Sequence, residues 1–121
     1  MKTNVVILGA SHKPDRYSYR AVEFLQKKGY NPIPVHPRGN SVCGIDTRTS
    51  LAEVDEDIDT ITLYVNSTIS SKSADAIIEA SPRRVIFNPG AENRPLLERL
   101  QSNGIECREA CTLVLLRTGQ F

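Results

Sequence analysis

The fold is indicated most clearly by Val5-Val6-Ile7-Leu8-Gly9-Ala10-Ser11, close to the start of the sequence. Four consecutive aliphatic residues predict a strand that is buried on both faces, and the small residues after them end it. An apolar stripe at helical spacing follows from about Tyr17 to Lys28, and Gly29 marks its end. A buried strand that leads into an amphipathic helix is the first half of a βαβ unit.

The same alternation continues along the chain. Further strands are predicted at Asn31–Val35, Thr60–Val65, Arg84–Phe87 and Ile105–Cys107. Helices are predicted at Ser70–Ala80 and Arg94–Ser102. Strands that alternate with helices through short connections require right-handed crossovers and a parallel sheet covered on both faces. We therefore predict one Rossmann-like, three-layer α/β domain over residues 1–121, with a parallel sheet of about five strands.

Local signals refine this prediction at three places. Pro32 and Pro34 indicate that the second strand lies near a sheet edge or is short, because proline cannot donate to a strand ladder. The capping-box spacing of Ser50 and Glu53 predicts a short helical turn. The closing apolar segment Thr112–Leu116 has a pattern that fits neither element type clearly.

Composition narrows the classes of function. Fifteen Lys and Arg against fourteen Asp and Glu give a net charge of +1. This balance argues against a protein that coats nucleic acid, but it allows a local site for a small anion. No apolar run approaches the roughly 18–20 residues that span a bilayer. The odd set Cys43, Cys107 and Cys111 argues against a secreted disulfide framework, so we expect a cytoplasmic protein.

Ligands of such sheets bind at the carboxyl ends of the strands. The predicted ends are Gly9-Ala10-Ser11, His36-Pro37-Arg38, Tyr64-Val65-Asn66 and Asn88-Pro89-Gly90. Each contains small, kinked or polar residues, which suit a backbone that lines a ligand. We therefore expect these four segments to form the binding site.

The first strand end has the composition of a phosphate site. It leads toward a helix N-terminus, whose free N–H groups attract anions. The same loop adds cationic and hydroxyl donors at Lys13, Arg16, Tyr17 and Ser18. A turn that merely joins strand to helix is the alternative interpretation.

The loop does not carry the dinucleotide fingerprint. A Gly-x-Gly-x-x-Gly motif would need glycines near Ser11 and Pro14. The acidic residue that would hold a ribose hydroxyl at the end of the second strand is also absent, and His36 and Arg38 stand there instead. An arginine at this place suits a ribose with an extra phosphate, as in NADP or coenzyme A, and disfavours NAD.

No constellation of catalytic or metal-binding residues emerges. His36 has no carboxylate next to it in the sequence to orient it as a base. Cys107 and Cys111 are four residues apart but lack the further ligands that zinc requires. Glu92, near the fourth strand end, is most simply a helix-start carboxylate. We expect neither catalytic residues nor a metal site.

Several stretches together carry a family resemblance that covers essentially the whole chain. They are Val6–Ser11, Pro14-x-Arg16-x-Ser18-Tyr19, Gly29–Pro37, Gly44 with Ser50-Leu51, Asn88–Asn93, and Gly104-Ile105-Glu106 leading to Cys111-Thr112-Leu113. The combination resembles the small stand-alone CoA-binding domain proteins. That family is similar to the N-terminal CoA-binding domain of the succinyl-CoA synthetase alpha subunit.

The resemblance implies a site for coenzyme A or an acyl-CoA, built from the four strand ends. The phosphates would be held by Gly9, Ala10, Ser11, Lys13, Arg16 and Ser18. The adenosine would be flanked by Val35, His36, Pro37 and Arg38. One wall near the nucleotide would be Tyr64, Val65 and Asn66. The exit for the pantetheine arm would be bordered by Asn88, Pro89 and Gly90.

Two departures limit what the resemblance implies. The family usually has Asn where His36 stands. The phosphorylated histidine of the synthetase belongs to a second domain that is not in this sequence, so ligase activity is not implied. A binding module without catalysis is the main hypothesis. The alternatives are an NADP-dependent or other nucleotide-using enzyme and a regulatory module with a degenerate site, and either a homodimer or a protein partner fits the sequence.

Overall fold

The computed structural model describes residues 2–121, which form a sheet of five strands with five helices around it. The strands are β1 (Asn4–Leu8), β2 (Asn31–Val35), β3 (Thr60–Leu63), β4 (Arg84–Phe87) and β5 (Glu106–Glu109). The helices are α1 (Tyr17–Lys27), α2 (Ser67–Lys72), α3 (Ala74–Ala80), α4 (Arg94–Ser102) and α5 (Thr112–Thr118). A short 3-10 turn covers Leu51–Glu53. Among the described residues, no helix has the length and apolar character that a membrane crossing requires.

All strand pairs are parallel, and the strand order is β2-β1-β3-β4-β5. Val6 of the central β1 lies opposite Ile33 of β2 and Ile61 of β3. This arrangement confirms the predicted α/β class and the edge position of β2. Because the chain leaves β1 in one direction and returns to its other side as β3, the switch point of the sheet lies between the ends of β1 and β3.

Alternating side chains of β1 supply two separate cores. Val5 and Ile7 pack with α1 and α5 on one face of the sheet. Val6 and Leu8 pack on the other face, against α3, α4 and the 3-10 turn. The aliphatic run is therefore buried on both sides, as its composition predicts.

Several predicted boundaries were wrong. The single helix predicted over 70–80 is two helices, and α2 begins earlier because the Asn66 side chain caps it by accepting the Ile69 N–H at 2.9 Å. β3 ends at Leu63 rather than Val65, and β5 is shifted to Glu106–Glu109. The closing apolar segment is helix α5, which ends at Thr118 and is followed by Gly119 in a left-handed conformation.

The long connection after β2 returns to the sheet edge before it reaches the 3-10 turn. The Arg48 N–H donates to Pro34 O at 3.0 Å, and the His36 N–H donates to Arg48 O at 2.9 Å. The Arg48 guanidinium then holds Glu56 in two bonds of 3.0 and 2.8 Å. These contacts place Thr49–Ala52 beside the carboxyl end of β2.

Candidate functional site

Two neighbouring cavities lie at the carboxyl edge of the sheet and share His36. The smaller, which we term the cationic cavity, has a volume of about 260 Å³. It is lined by Ala10, Ser11, His12, Lys13, Arg16, His36, Arg38 and Asn40. The larger, which we term the strand-end cavity, has a volume of about 600 Å³ and opens at the ends of β1, β2 and β3.

The cationic cavity carries positive charge without a counter-ion from the protein. Lys13, Arg16 and Arg38 line it, and no Asp or Glu is among its lining residues. Within residues 2–121 the arginines that form ion pairs are other ones, at positions 48, 83, 94 and 99. Unpaired cations that converge on one concave surface favour an anion there.

The backbone of the first loop contributes less to anion binding than the sequence suggested. The Gly9 and Ala10 N–H groups both donate to Val35 O, at 2.9 and 3.2 Å. The Ser11 N–H donates to Ser18 Oγ at 3.0 Å, and the Lys13 N–H donates to Ser11 Oγ at 3.1 Å. Because these N–H groups are already bonded within the protein, the attraction for anions comes chiefly from the cationic side chains.

Ser18 lies beneath this loop instead of in the cavity. It is buried on the first turn of α1, and its hydroxyl oxygen fixes the position of Ser11. Arg16 is the N-cap residue of α1 and makes no side-chain capping bond. The Arg16 guanidinium can therefore turn toward a ligand without loss of a helix cap.

His36 forms the junction between the two cavities. Its Nδ1 accepts the Arg38 N–H at 3.1 Å. Partial burial lowers the pKa of His36, and the nearby Arg38 and His12 lower it further. The ring is therefore neutral near pH 7 and offers neither a charge nor a free Nδ1 to a ligand.

The strand-end cavity lies at the switch point of the sheet. Of the predicted site residues, its walls contain Gly9, Val35, His36, Pro37, Tyr64, Val65 and Asn66. Its other walls were missed from the sequence and are Leu8, Thr49, Ser50, Leu51, Ala52, Ile69, Lys72, Ser73 and Ala76. The capping-box spacing of Ser50 and Glu53 was the sequence signal for the wall at Thr49–Ala52.

Tyr64 contributes to both sides of the sheet. Tyr64 lines the strand-end cavity, and it also packs against the core cluster on the face of the sheet that α1 and α5 cover. Burial raises the pKa of Tyr64 to about 12. The phenol is thus neutral, and its buried hydroxyl has no hydrogen-bond partner among the described residues.

The fourth predicted strand end is not part of either cavity's lining. Asn88 is buried, and its amide joins three elements: Nδ2 donates to Thr62 Oγ1 at 2.6 Å and Leu63 O at 2.8 Å, and Oδ1 accepts the Thr112 N–H at 2.9 Å. The Glu92 carboxylate accepts the Gly90 N–H at 3.0 Å, a local structural role. Contact of Asn88, Pro89 and Gly90 with a ligand stays a prediction.

A third cavity of about 640 Å³ lies between α1 and α5, and it takes up Tyr17, which the sequence had placed among the phosphate donors and which does not line the cationic cavity. Its lining includes Tyr17, Phe24, Leu113 and Arg117. The loop between β1 and α1 separates this cavity from the cationic cavity. Lys13 and Arg16 of the loop line the cationic cavity, and Pro14 lines the third cavity.

The strand order and the paired cavities define a doubly wound α/β domain with a cleft at its switch point. A family profile described as CoA binding domain matches residues 3–117, and the chain belongs to this family.

Two uncharacterized proteins resemble the chain over most of its length. The chain is similar to the uncharacterized protein YneT of Bacillus subtilis (strain 168), with 27% identity over 100 residues that cover 83% of this chain and 74% of that protein. A crystal structure of an uncharacterized protein superimposes with a TM-score of 0.94 and 40% identity, over 100% of this chain and 99% of that one.

A larger protein contains the same fold as part of its chain. It is the dinucleotide-forming acetyl-coenzyme A synthetase 1 of Ca. Korarchaeum cryptofilum, solved in complex with phosphate and ADP. The TM-score is 0.76 at 18% identity, over 89% of this chain and 25% of that one. At this identity the likeness concerns the fold alone.

Proposed function

We propose that the protein binds coenzyme A or an acyl-CoA across the two cavities. The observation that carries this proposal is their junction at His36, where a cavity with unpaired cations meets a larger one with a mixed polar and apolar wall. Coenzyme A has the matching division, since its phosphates adjoin a neutral adenine and a long neutral pantetheine arm. Membership of the CoA binding domain family supports the same ligand.

The cationic cavity is the proposed site of the phosphates. Lys13, Arg16 and Arg38 come from two different loops, so an anion between them is approached from two sides. Charge-assisted hydrogen bonds of this kind are about twice as strong as neutral ones. We assign Arg38, at the end of β2, to the phosphate on the ribose.

The strand-end cavity is the proposed site of the neutral parts of the ligand. Leu51, Val65 and Ile69 offer apolar contacts there, and Ser50 and Asn66 stand beside them. A volume of about 600 Å³ lies in the range of cavities that bind small molecules. The mixed lining suits an adenine ring, which has an apolar face and a polar edge.

We propose that the protein performs no chemistry of its own on this ligand. His36 is the imidazole at the junction, and its Nδ1 is already bonded to a backbone N–H rather than to a carboxylate. The lining of the cationic cavity contains no carboxylate that could complete an acid–base pair. Three free cysteines suit a reducing compartment, so we place the protein in the cytoplasm.

Calorimetric titration with coenzyme A, dephospho-CoA, NADP and NAD tests the proposal. We expect coenzyme A to bind with a micromolar Kd and dephospho-CoA to bind more weakly, because it lacks the phosphate assigned to Arg38. A preference for NADP at matched concentrations would favour an enzyme on the same scaffold. No heat with any of the four ligands would overturn the proposal and favour a module that binds another protein.

A further inference from the structure

His36 begins a tight turn that brings Arg38 to the cationic cavity. The Gly39 N–H donates to His36 O at 3.0 Å, which closes a four-residue turn. The His36 side chain reinforces it, because Nδ1 accepts the Arg38 N–H at 3.1 Å. This second bond has the form of an Asx turn, in which a side-chain acceptor binds the N–H two residues later.

The bond to Arg38 also decides which ring nitrogen of His36 carries the proton. A backbone N–H can only donate, so Nδ1 must present its lone pair. A neutral imidazole then carries its proton on Nε2. The charged neighbours at this cavity oppose a second proton, since Lys13, Arg16 and Arg38 are all cationic and His12 is the remaining titratable group in the lining.

We propose that His36 sets the ligand specificity of the site in two separable ways. Through Nδ1 it is a positioning residue, which holds the turn that directs Arg38 toward the ribose phosphate. Through Nε2–H it is a neutral donor to the bound ligand at the junction of the two cavities. This inference rests on the proposed binding of coenzyme A.

The two roles predict different consequences of substitution. Asn can accept the Arg38 N–H as His36 does, so His36→Asn keeps the turn and loses the Nε2–H donor. This variant should bind coenzyme A and dephospho-CoA more weakly by the same factor, roughly 2- to 10-fold, because one neutral hydrogen bond is lost. His36→Ala removes both functions, so the ratio of the two affinities should also fall toward one.

The matched control is Arg94→Ala, which removes a cationic side chain that lines neither cavity. Arg94 lies on α4 and forms an exposed ion pair with Glu98. Both affinities and their ratio should be unchanged in this variant. Circular dichroism of each variant establishes that it is folded before its affinity is interpreted.

Nitrogen-15 NMR of the His36 ring measures which ring nitrogen carries the proton, which a purely structural role of His36 would not fix. With coenzyme A bound at pH 7, we expect a proton on Nε2 and none on Nδ1. An imidazolium in the complex, or an unchanged affinity ratio in His36→Ala, would overturn the inference while binding of coenzyme A stood. If the wild-type protein bound no coenzyme A, both the function and this inference would fall.

Discussion

Gly9 and Val65 meet so closely that no side chain fits between them. A Cβ atom at Gly9 would lie 2.6 Å from Val65 Cγ1 and 3.0 Å from the carbonyl oxygen of Tyr64. Gly9 also has a φ of +92°, in the region that favours glycine. This contact joins the end of β1 to the end of β3 at the switch point, and it shapes one wall of the strand-end cavity.

Gly9→Ala should therefore lower the free energy of unfolding by more than a glycine-to-alanine change that introduces only backbone strain. Gly29 is the matched control, because its φ is +88° and no atom lies within 4 Å of its added Cβ. We expect Gly29→Ala to cost about 1 kcal/mol and Gly9→Ala to cost about 1–3 kcal/mol more. Urea unfolding measures both, and equal losses would contradict the crowding at Val65.

Asn88 should contribute more to stability than an exposed asparagine. Asn88→Ala leaves the buried Thr112 N–H without its acceptor, and we expect a loss of about 2–3 kcal/mol. Asn103→Ala is the control, since this side chain donates to Arg99 O on the surface, and it should cost less than about 0.5 kcal/mol. Similar losses in the two variants would argue against the buried role of Asn88.

Arg16 should contribute to affinity without contributing to helix stability. We expect Arg16→Ala to lower the affinity for coenzyme A by roughly 10- to 100-fold, because a hydrogen bond to a charged group contributes about 1.5–3 kcal/mol. Arg94→Ala, which changes an exposed side chain of α4, should leave affinity unchanged. Calorimetry of the two variants makes the comparison, and wild-type affinity in Arg16→Ala would remove this residue from the site.

The Arg48–Glu56 pair should make stability depend on acid pH. Its two hydrogen bonds lower the pKa of Glu56 from 4.5 to about 2. The carboxylate is thus more acidic in the folded state, so its contribution is present above pH 4.5 and is lost as pH falls toward 2. Both side chains are about one third exposed, and solvent screening limits the contribution to about 0.5–1 kcal/mol.

Urea unfolding of Glu56→Gln at pH 7 and pH 2.5 measures this contribution. The variant should be less stable than wild type at pH 7, and the difference should shrink at pH 2.5. Arg48→Gln provides the reference background, in which Glu56→Gln should have little further effect. A difference that is independent of pH would show that the pair does not stabilise the fold.

The parts of the fold that follow from local pattern were predictable. The aliphatic run of β1 and the prolines of β2 indicated a buried strand beside an edge strand, and the sheet has both. β5 was displaced because its residues Glu106–Glu109 are mostly exposed and carry no apolar alternation. The division between α2 and α3 was missed because Ser73 keeps a right-handed helical backbone conformation and no Gly or Pro marks the break.

The candidate site was predictable where it follows directly from strand ends. The loops after β1, β2 and β3 line the two cavities, as the rule for parallel sheets requires. The wall at Thr49–Ala52 depends on a long connection that Arg48 pins to β2, which no local pattern reveals. Likewise, Ser18 has a hydroxyl suited to phosphate, and only the packing of α1 against the loop turns it inward.

An NMR titration of backbone amides with coenzyme A tests whether the ligand spans both cavities. If it does, the largest shifts occur at Lys13 and Arg38 in the cationic cavity and at Val65 and Asn66 in the strand-end cavity. Lys27 and Arg117, in the cavity between α1 and α5, should shift little. Shifts confined to that third cavity, or no shifts at millimolar coenzyme A, would contradict a ligand that spans the junction at His36.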